Sequence, residues 1–206
     1  SGLFHQNIVS MSDPSQKYDN VIAYLRANGV LSDVQYEVLD IHDSQNLLPQ
    51  DIAQASKAGD FSDSILKKIG ADDVRNAQIL ARIIPHLESG TKGLLFAPSV
   101  EASKFLTSML AFLGYRVGHI DGSLSAGLRA SIVQDYRAGD IDLICNFGVL
   151  ATGFDAPKTD FLCIARPTKS PVLYSQMLGR GLRGPKVGGT EDCLILEVRD
   201  NYINMG

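Results

Sequence analysis

The sequence predicts an α/β protein built on a three-layer, mainly parallel sheet, and three observations carry that prediction. Beyond Gly90, apolar runs of strand length alternate with longer amphipathic segments of helical period, which is the pattern of consecutive βαβ units. The segments that follow the apolar runs are polar or contain Gly and Pro, as expected at the ligand-bearing carboxyl edge of such a sheet. With 206 residues, 45% apolar and 20% charged, the chain can bury one sizeable core and hardly two.

Residues 1–89 are the less regular part and are expected to form an N-terminal extension or linker region, with helices and an edge strand, packed on the lobe formed by residues 90–206. Tyr18, Val21, Ile22 and Leu25 fall at helical spacing before Gly29, a C-cap residue, and Val34, Tyr36 and Val38 alternate with polar residues as a half-buried strand does. Residues 47–70 are polar and interrupted by Pro49, Gly59 and Gly70, so short helices and loops are expected. From Asp72 to Glu88 a helix is predicted with Val74, Ala77, Leu80, Ile84 and Leu87 on one face; Pro85 marks a kink or an early end.

In the second part the strands are Leu94–Ala97, Val117–Ile120, Ile141–Cys145, Phe161–Ala165 and Cys193–Val198. Ser99 is placed to cap a helix running to Phe112. Ser125 is placed to cap another, with Leu128, Ile132, Val133 and Tyr136 as its buried stripe and Gly139 as its stop. The turns expected to carry ligands are Ala97-Pro98-Ser99, Asp121-Gly122, Asn146-Phe147-Gly148 and Arg166-Pro167-Thr168.

Several function classes are excluded at this level. No run approaches the roughly 18 apolar residues of a membrane span, and the first ten residues lack a secretory pattern. A soluble, cytoplasmic protein with no membrane partner is expected. Cys145, Cys163 and Cys193 are odd in number, far apart and set in apolar surroundings, so they read as core thiols rather than as a disulfide framework or metal site. His5, His42, His86 and His119 show no ligand spacing either, and no metal-binding residue is assigned.

The formal net charge of −4 argues against a phosphate-bearing partner, but it hides a gradient. Residues 1–90 hold 7 Lys/Arg against 12 Asp/Glu, whereas residues 91–206 hold 12 against 11. The stretch from Phe161 to Thr190 contains no acid and five bases, namely Arg166, Lys169, Arg180, Arg183 and Lys186. A local cationic patch therefore sits on an acidic chain.

Two segments carry chemistry. In Leu150 to Pro157, Gly153 permits close approach of a ligand to the backbone and Asp155 offers an acceptor for a sugar hydroxyl; an ordinary turn with a locally bonded Asp explains the same residues. In Ser170 to Pro185, Ser170 as N-cap and Pro171 at the first position open a helix, and Gly184-Pro185 close it. Spacings of four and three put Gln176, Arg180 and Arg183 on one face, with Leu173, Met177 and Leu178 toward the core. Two glycines inside so short a helix cost about 1 kcal/mol each relative to Ala, which a merely solvated basic face does not require. Close approach of another surface or of a phosphate explains them, and guanidinium groups suit phosphoryl oxygens.

Taken in order, Leu94 to Ser103, Leu150 to Pro157 and Gln176 to Arg183 resemble motifs IV, V and VI of the superfamily 2 helicases, with the final QxxGRxxR intact. The phrase from Arg166 to Arg183, continuing into the strand at Asp192 to Leu196, most resembles the RadD-like bacterial DNA repair helicases and their phage relatives. The likeness covers residues 90–201 closely and residues 59–80 loosely.

The resemblance implies a RecA-like (P-loop NTPase-type) helicase C-terminal domain, the second lobe of a nucleic-acid motor. It implies ATP and Mg²⁺ as cofactors, bound between this lobe and an N-terminal RecA-like lobe of the same parent chain. Arg180 and Arg183 would be arginine fingers, Gln176 would help place the γ-phosphate, Gly153 would meet phosphate or the attacking water, and Asp155 the ribose. Ser99, Asn146, Thr152, Asp121 and Gly122 would lie against the nucleic-acid backbone, with DNA favoured over RNA. The sequence departs from a complete motor in having neither a GxxxxGK[ST] loop nor a DExH-like box. The 206 residues are therefore expected to be a fragment, inactive alone, with Mg²⁺ held mainly by the first lobe. The alternatives are the motor part of a restriction endonuclease and a non-catalytic nucleic-acid- or protein-binding module. A dinucleotide-dependent oxidoreductase is rejected, since no GxGxxG follows the first strand.

Overall fold

The computed structural model describes residues 21–41, 49–149 and 158–200. Its elements are α1 (Val21–Ala27), β1 (Asp33–Ile41), α2 (Pro49–Ala58), α3 (Asp63–Gly70), α4 (Asp73–Glu88), β2 (Gly93–Phe96), α5 (Val100–Phe112), β3 (Val117–Ile120), α6 (Ala126–Ala138), β4 (Leu143–Asn146), β5 (Phe161–Ile164), α7 (Pro171–Gly181), a 3-10 turn (Pro185–Val187) and β6 (Asp192–Asp200). Among the described residues the strands form one sheet in the order β1-β6-β5-β2-β4-β3, every neighbouring pair parallel.

Alternation along the strands sorts the core into two layers, because successive side chains point to opposite faces. Leu95, Cys145, Cys163 and Leu196 pack on one face with Ile79 and Ile83 of α4 and Leu106 and Leu110 of α5. Leu94, Ile144, Leu162 and Ile195 pack on the other with Tyr136 of α6 and Met177 of α7. Helices thus cover both faces, giving the three layers expected of parallel strands. Ala55, Phe61, Ile65, Leu66 and Ile69 make a separate small core for α2 and α3. Among the described residues no helix is long and apolar enough to cross a membrane. The three thiols are buried and free, and burial pushes each up to about 12, which leaves them unreactive at neutral pH.

Capping residues are where the sequence places them. Ser99 accepts from the Ala102 amide at 3.0 Å, Ser125 from Leu128 at 3.3 Å, and Gly139 ends α6 at φ +91. Leu128 itself is 49% exposed rather than part of the buried stripe, because only the second half of α6 lies on the sheet. Helix α4 continues past Pro85 to Glu88, since a proline in the last turn forfeits a single backbone bond.

The face of α4 also differs from the expected one. Val74 and Ala77 are exposed, while Arg75, Asn76, Ile79, Leu80, Ile83 and Leu87 are buried. The rotation is set by Arg75, a fully buried side chain whose Nε donates to Asp200 Oδ1 at 2.7 Å and whose second guanidinium nitrogen donates to Asp200 Oδ2 at 3.1 Å and to the Ala165 carbonyl at 2.6 Å. A buried bidentate pair of this kind is costly to break from one side, because the remaining charge stays in a medium that cannot solvate it. Asp200→Ala should therefore lower stability by about 3–5 kcal/mol in urea unfolding. The volume-matched double variant Arg75→Met/Asp200→Leu should recover most of that loss. A single-variant cost below about 1 kcal/mol would show that the pair is not what holds α4 in place.

Candidate functional site

Because all strands are parallel, the ends of β2, β3, β4 and β5 share one edge, and the polar turns gather there. The approach to α7 begins at that edge. Ser170 Oγ accepts from the Leu173 amide at 3.3 Å, and Pro171 opens the first turn, where its missing N–H goes unused. Met177 is buried, with Leu173 and Leu178 partly buried beside it, so the opposite side of the helix presents Gln176 to solvent. Arg180, one turn on, shares the Gln176 side by helical geometry and is half-buried. Tyr174 fastens the helix laterally through a hydrogen-bonded group with Tyr36 of β1 and Glu197 of β6. Partial burial and the Glu197 carboxylate raise the Tyr36 hydroxyl well above the ordinary tyrosine range.

Arg183 is not on this helix. Helix α7 ends at Gly181, and Arg183 lies in extended chain bridged antiparallel to Leu31. Its carbonyl accepts from Ser32 Oγ at 2.7 Å, and the Gly184 amide donates to the Val30 carbonyl at 3.0 Å. The segment around Val30 to Ser32 thus draws the chain off the helical path three residues before the expected Gly184-Pro185 stop. The helical-face argument holds for Gln176 and Arg180 and fails for Arg183.

The two helix glycines have different causes. A Cβ on Gly181 would stand 2.4 Å from Leu162 Cδ2, so Gly181 lets α7 sit directly on β5. A Cβ on Gly179 would meet nothing within 4 Å. Packing explains the first glycine, and only the second leaves open backbone beside Gln176 and Arg180.

Gln176 faces a cavity of about 90 Å³ at the sheet edge, with Phe96, Asn146, Gly148, Arg166 and Met177 among its lining residues. Arg166 Nε is buried there without a hydrogen-bond partner, and its guanidinium carbon lies 5.6 Å from the centre of the Phe147 ring. The structure therefore brings Gln176 and Asn146 together around Arg166, a residue that the sequence places in a ligand-bearing turn and a basic patch but to which it gives no individual role. Thr152, Gly153 and Asp155 lie outside the described residues.

The residues assigned to the nucleic-acid backbone are used internally. Ser99 is 2% exposed and occupied as an N-cap, and Asn146, also 2% exposed, donates through Nδ2 to the Leu95 carbonyl at 2.9 Å. Asp121 is fully buried and accepts from the Ser123 amide at 2.7 Å and the Ser123 hydroxyl at 2.5 Å. His119 joins it to α5: Nε2 lies 2.9 Å from Asp121 Oδ2, and Nδ1 2.7 Å from Ser103 Oγ. Serine, histidine and aspartate in that order have the form of a nucleophile with its base and orienting acid. Ser103 is completely buried, however, so the chain of bonds serves to fix the Asp121-Gly122 turn. Among the assigned residues that the structure describes, Gly122 alone is exposed. The side chains of Ser99, Asn146 and Asp121 are thus engaged within the lobe, in a helix cap, a bond between strands and a turn.

Comparison with known proteins agrees with this architecture. Residues 75–184 match the family model described as the helicase conserved C-terminal domain. A 51.5 kDa protein of a Lactococcus phage is 31% identical over 130 residues, 62% of this chain and 28% of its own length. In Schizosaccharomyces pombe a protein named as a mitochondrial ATP-dependent helicase, irc3, is 32% identical over 151 residues, 73% of this chain and 25% of its own. Among solved structures, a DEAD box protein from Methanococcus jannaschii superimposes with a TM-score of 0.54 at 20% identity, over 64% of this chain and 34% of that one. The fold is that of a RecA-like helicase lobe. The chain belongs to the helicase conserved C-terminal domain family, as the C-terminal lobe of a superfamily 2 helicase. It spans about a quarter of the length of the relatives it matches.

Two outcomes follow from the local chemistry. Gly179→Ala should raise stability by about 1 kcal/mol, whereas Gly181→Ala should lower it by about 1–3 kcal/mol through overpacking against Leu162; equal effects in urea unfolding would mean that β5 yields. For Asp121, burial opposes ionisation, but hydrogen bonds from Ser123 and His119 outweigh it and hold the carboxyl below the ordinary carboxylate range. A group depressed in the folded state stabilises above its unfolded value, near 3.9, and loses that contribution as pH falls toward its folded value. Asp121→Asn should therefore cost about 2 kcal/mol at pH 7, and the difference from wild type should shrink below about pH 4. A gap that does not change between pH 7 and pH 3 contradicts this reading.

Proposed function

We propose that the chain is the second motor lobe of an ATP-dependent DNA helicase or translocase, working with an N-terminal RecA-like lobe of the same parent protein. The observation that carries the proposal is the side of α7 on which Gln176, lining the edge cavity, and half-buried Arg180 flank the open backbone at Gly179. In this reading Gln176 places the γ-phosphate of ATP, and Arg180 supplies positive charge to the phosphoryl group as it transfers. Arg183 does so from extended chain rather than from the helix. Arginine fingers are worth roughly 10³- to 10⁵-fold in rate in other NTPases, because a fixed guanidinium stabilises developing charge without reorganising.

The 206 residues contain no GxxxxGK[ST] loop. Among the described residues no three His, Cys, Asp or Glu side chains converge on a point, and none of the described carboxylates is assigned to Mg²⁺. The metal and the β-phosphate fall to the first lobe. On the polymer side, the exposed main chain at Gly122 and Gly148 supplies the phosphate contacts, as backbone amides commonly do. The preference for DNA rests on the likeness of Arg166 to Arg183 to the RadD-like repair helicases.

The test uses the parent protein carrying both lobes. Arg180→Ala and Arg183→Ala should each reduce DNA-stimulated ATP turnover at least about 10³-fold, with binding of a fluorescent ATP analogue changed only a few-fold. The present chain alone should show no ATPase above background. Normal turnover in both variants, or ATPase from this chain by itself, sinks the assignment; stimulation by RNA but not by single- or double-stranded DNA reassigns the polymer.

A further inference from the structure

Asp60, in the turn between α2 and α3, is far in sequence from the chemistry and close to it in space. Its Oδ1 accepts from Thr168 Oγ1 and from the Lys169 amide, each at 3.0 Å, and its Oδ2 lies 3.5 Å from the Arg166 guanidinium. The same two segments are joined again by Lys169 Nζ, which donates to Ser56 Oγ at 2.6 Å. Thr168 Oγ1 in turn accepts from the Ser170 amide at 3.0 Å, and Ser170 caps α7. One carboxylate therefore gathers Arg166, Thr168 and Lys169, the residues that lead the chain from the end of β5 into the helix bearing Gln176 and Arg180.

An ordinary surface ion pair contributes little, since solvent screens it and two flexible side chains must be ordered. Asp60 differs in three respects. The pair is largely withdrawn from solvent, with Asp60 and Arg166 side chains 26% and 16% exposed. Two of its three contacts go to a backbone amide and a short hydroxyl, which lose little freedom when bound. And the guanidinium it holds lines the same cavity as Gln176.

We infer that Asp60 is a positioning residue for the nucleotide-facing helix, a brace by which the α2–α3 pair sets the place of Gln176 and Arg180. The inference rests on the function proposed above. Asp60 touches neither nucleotide nor polymer. It fixes the start of α7, and with it the reach of every side chain farther along. Catalysis of phosphoryl transfer depends on such placement, where displacements near 1 Å cost up to about 10²-fold.

The experiment measures nucleic-acid-stimulated ATP turnover in the parent protein carrying both lobes, at a temperature well below the melting of every variant. Asp60→Ala should lower kcat about tenfold and leave the KM for ATP within about twofold. Asp60→Asn keeps an oxygen for Thr168 and Lys169 but gives up the charge facing Arg166, and it should fall between wild type and Asp60→Ala. Thr168→Val should lower kcat as well, and adding it to Asp60→Ala should cost less than the sum of the two, because they share one contact while Thr168 alone also holds the Ser170 amide. Should Asp60→Ala fail to fold, a reduced kcat in Asp60→Asn with unchanged melting supports the brace. Wild-type kcat in Asp60→Ala overturns it, as does a loss of kcat matched by KM and melting and not restored by Asn. A wild-type parent protein without ATPase activity overturns the motor reading and this inference with it, whereas an active wild type with an indifferent Asp60 overturns the inference alone.

Discussion

The structure turns on the burial of one guanidinium. Arg75 has no access to solvent, so its charge must be met within the protein, and Asp200 and the Ala165 carbonyl are among the groups that meet it. Asp200 ends β6, Ala165 follows β5, and Arg75 lies in the first turn of α4. A single side chain therefore fixes how α4 lies on the sheet and where β5 releases the chain. The next residue, Arg166, is held from the other side by Asp60, and Thr168 and Lys169 after it are held likewise. The link from β5 to α7 is thus pinned at successive residues by charges from α4 and from the α2–α3 turn. The geometry of α7 is a consequence of these ion pairs as much as of its own packing on Leu162.

This dependence accounts for what the sequence discloses and what it conceals. Strands and helices beyond Gly90 are legible because each is declared locally, by an apolar run, a capping serine or a stopping glycine, and Ser99, Ser125, Gly139 and Ser170 all act where their spacing puts them. The motif that faces ATP in the proposed function is legible for the same reason as far as Gly181. Arg183 is misread because the force that takes it off the helix is a bridge to Leu31, about 150 residues away in the chain and silent in any local window. The face of α4 is misread by about one position because apolarity assigns Arg75 to solvent, when a partner near the other end of the described chain keeps it inside. A signal was present, since Ile79 and Ile83, both buried, share a face with Arg75 and lie opposite Val74. Asp60 carried no such mark: one acid in a polar loop gains meaning only from the loop it meets.

The charge distribution gains a structural sense on the same grounds. The stretch from Phe161 to Thr190 has no acid of its own, yet its bases do not form a free cationic surface. Arg166 is matched by Asp60, and Lys169 reaches Ser56, so part of the acidic excess of residues 1–90 is spent against the basic segment. What the segment keeps for a phosphate partner is narrower than its count of bases implies. The formal charge of −4 therefore misleads in both directions, hiding a basic segment from a whole-chain average and then overstating that segment once it is found.

A similar economy governs the polar residues of the sheet edge. Ser99, Asn146 and Asp121 stand where a parallel sheet collects its ligand-binding groups, yet each is buried and already bonded. A lobe that must grip a polymer of variable sequence gains nothing from base-reading side chains in these turns; it needs amides held in a fixed outline. Spending side chains on the shape of the turns and leaving Gly122 and Gly148 exposed meets that need. A lobe that meets a nucleotide needs the opposite, since a transferring phosphoryl group rewards full charges placed within a fraction of an ångström. That is the arrangement on α7, with Gln176 and Arg180 carried outward on a helix whose start is braced. The two kinds of surface, main chain toward one partner and an amide and a guanidinium toward the other, are what one lobe serving both a polymer and a phosphate would require.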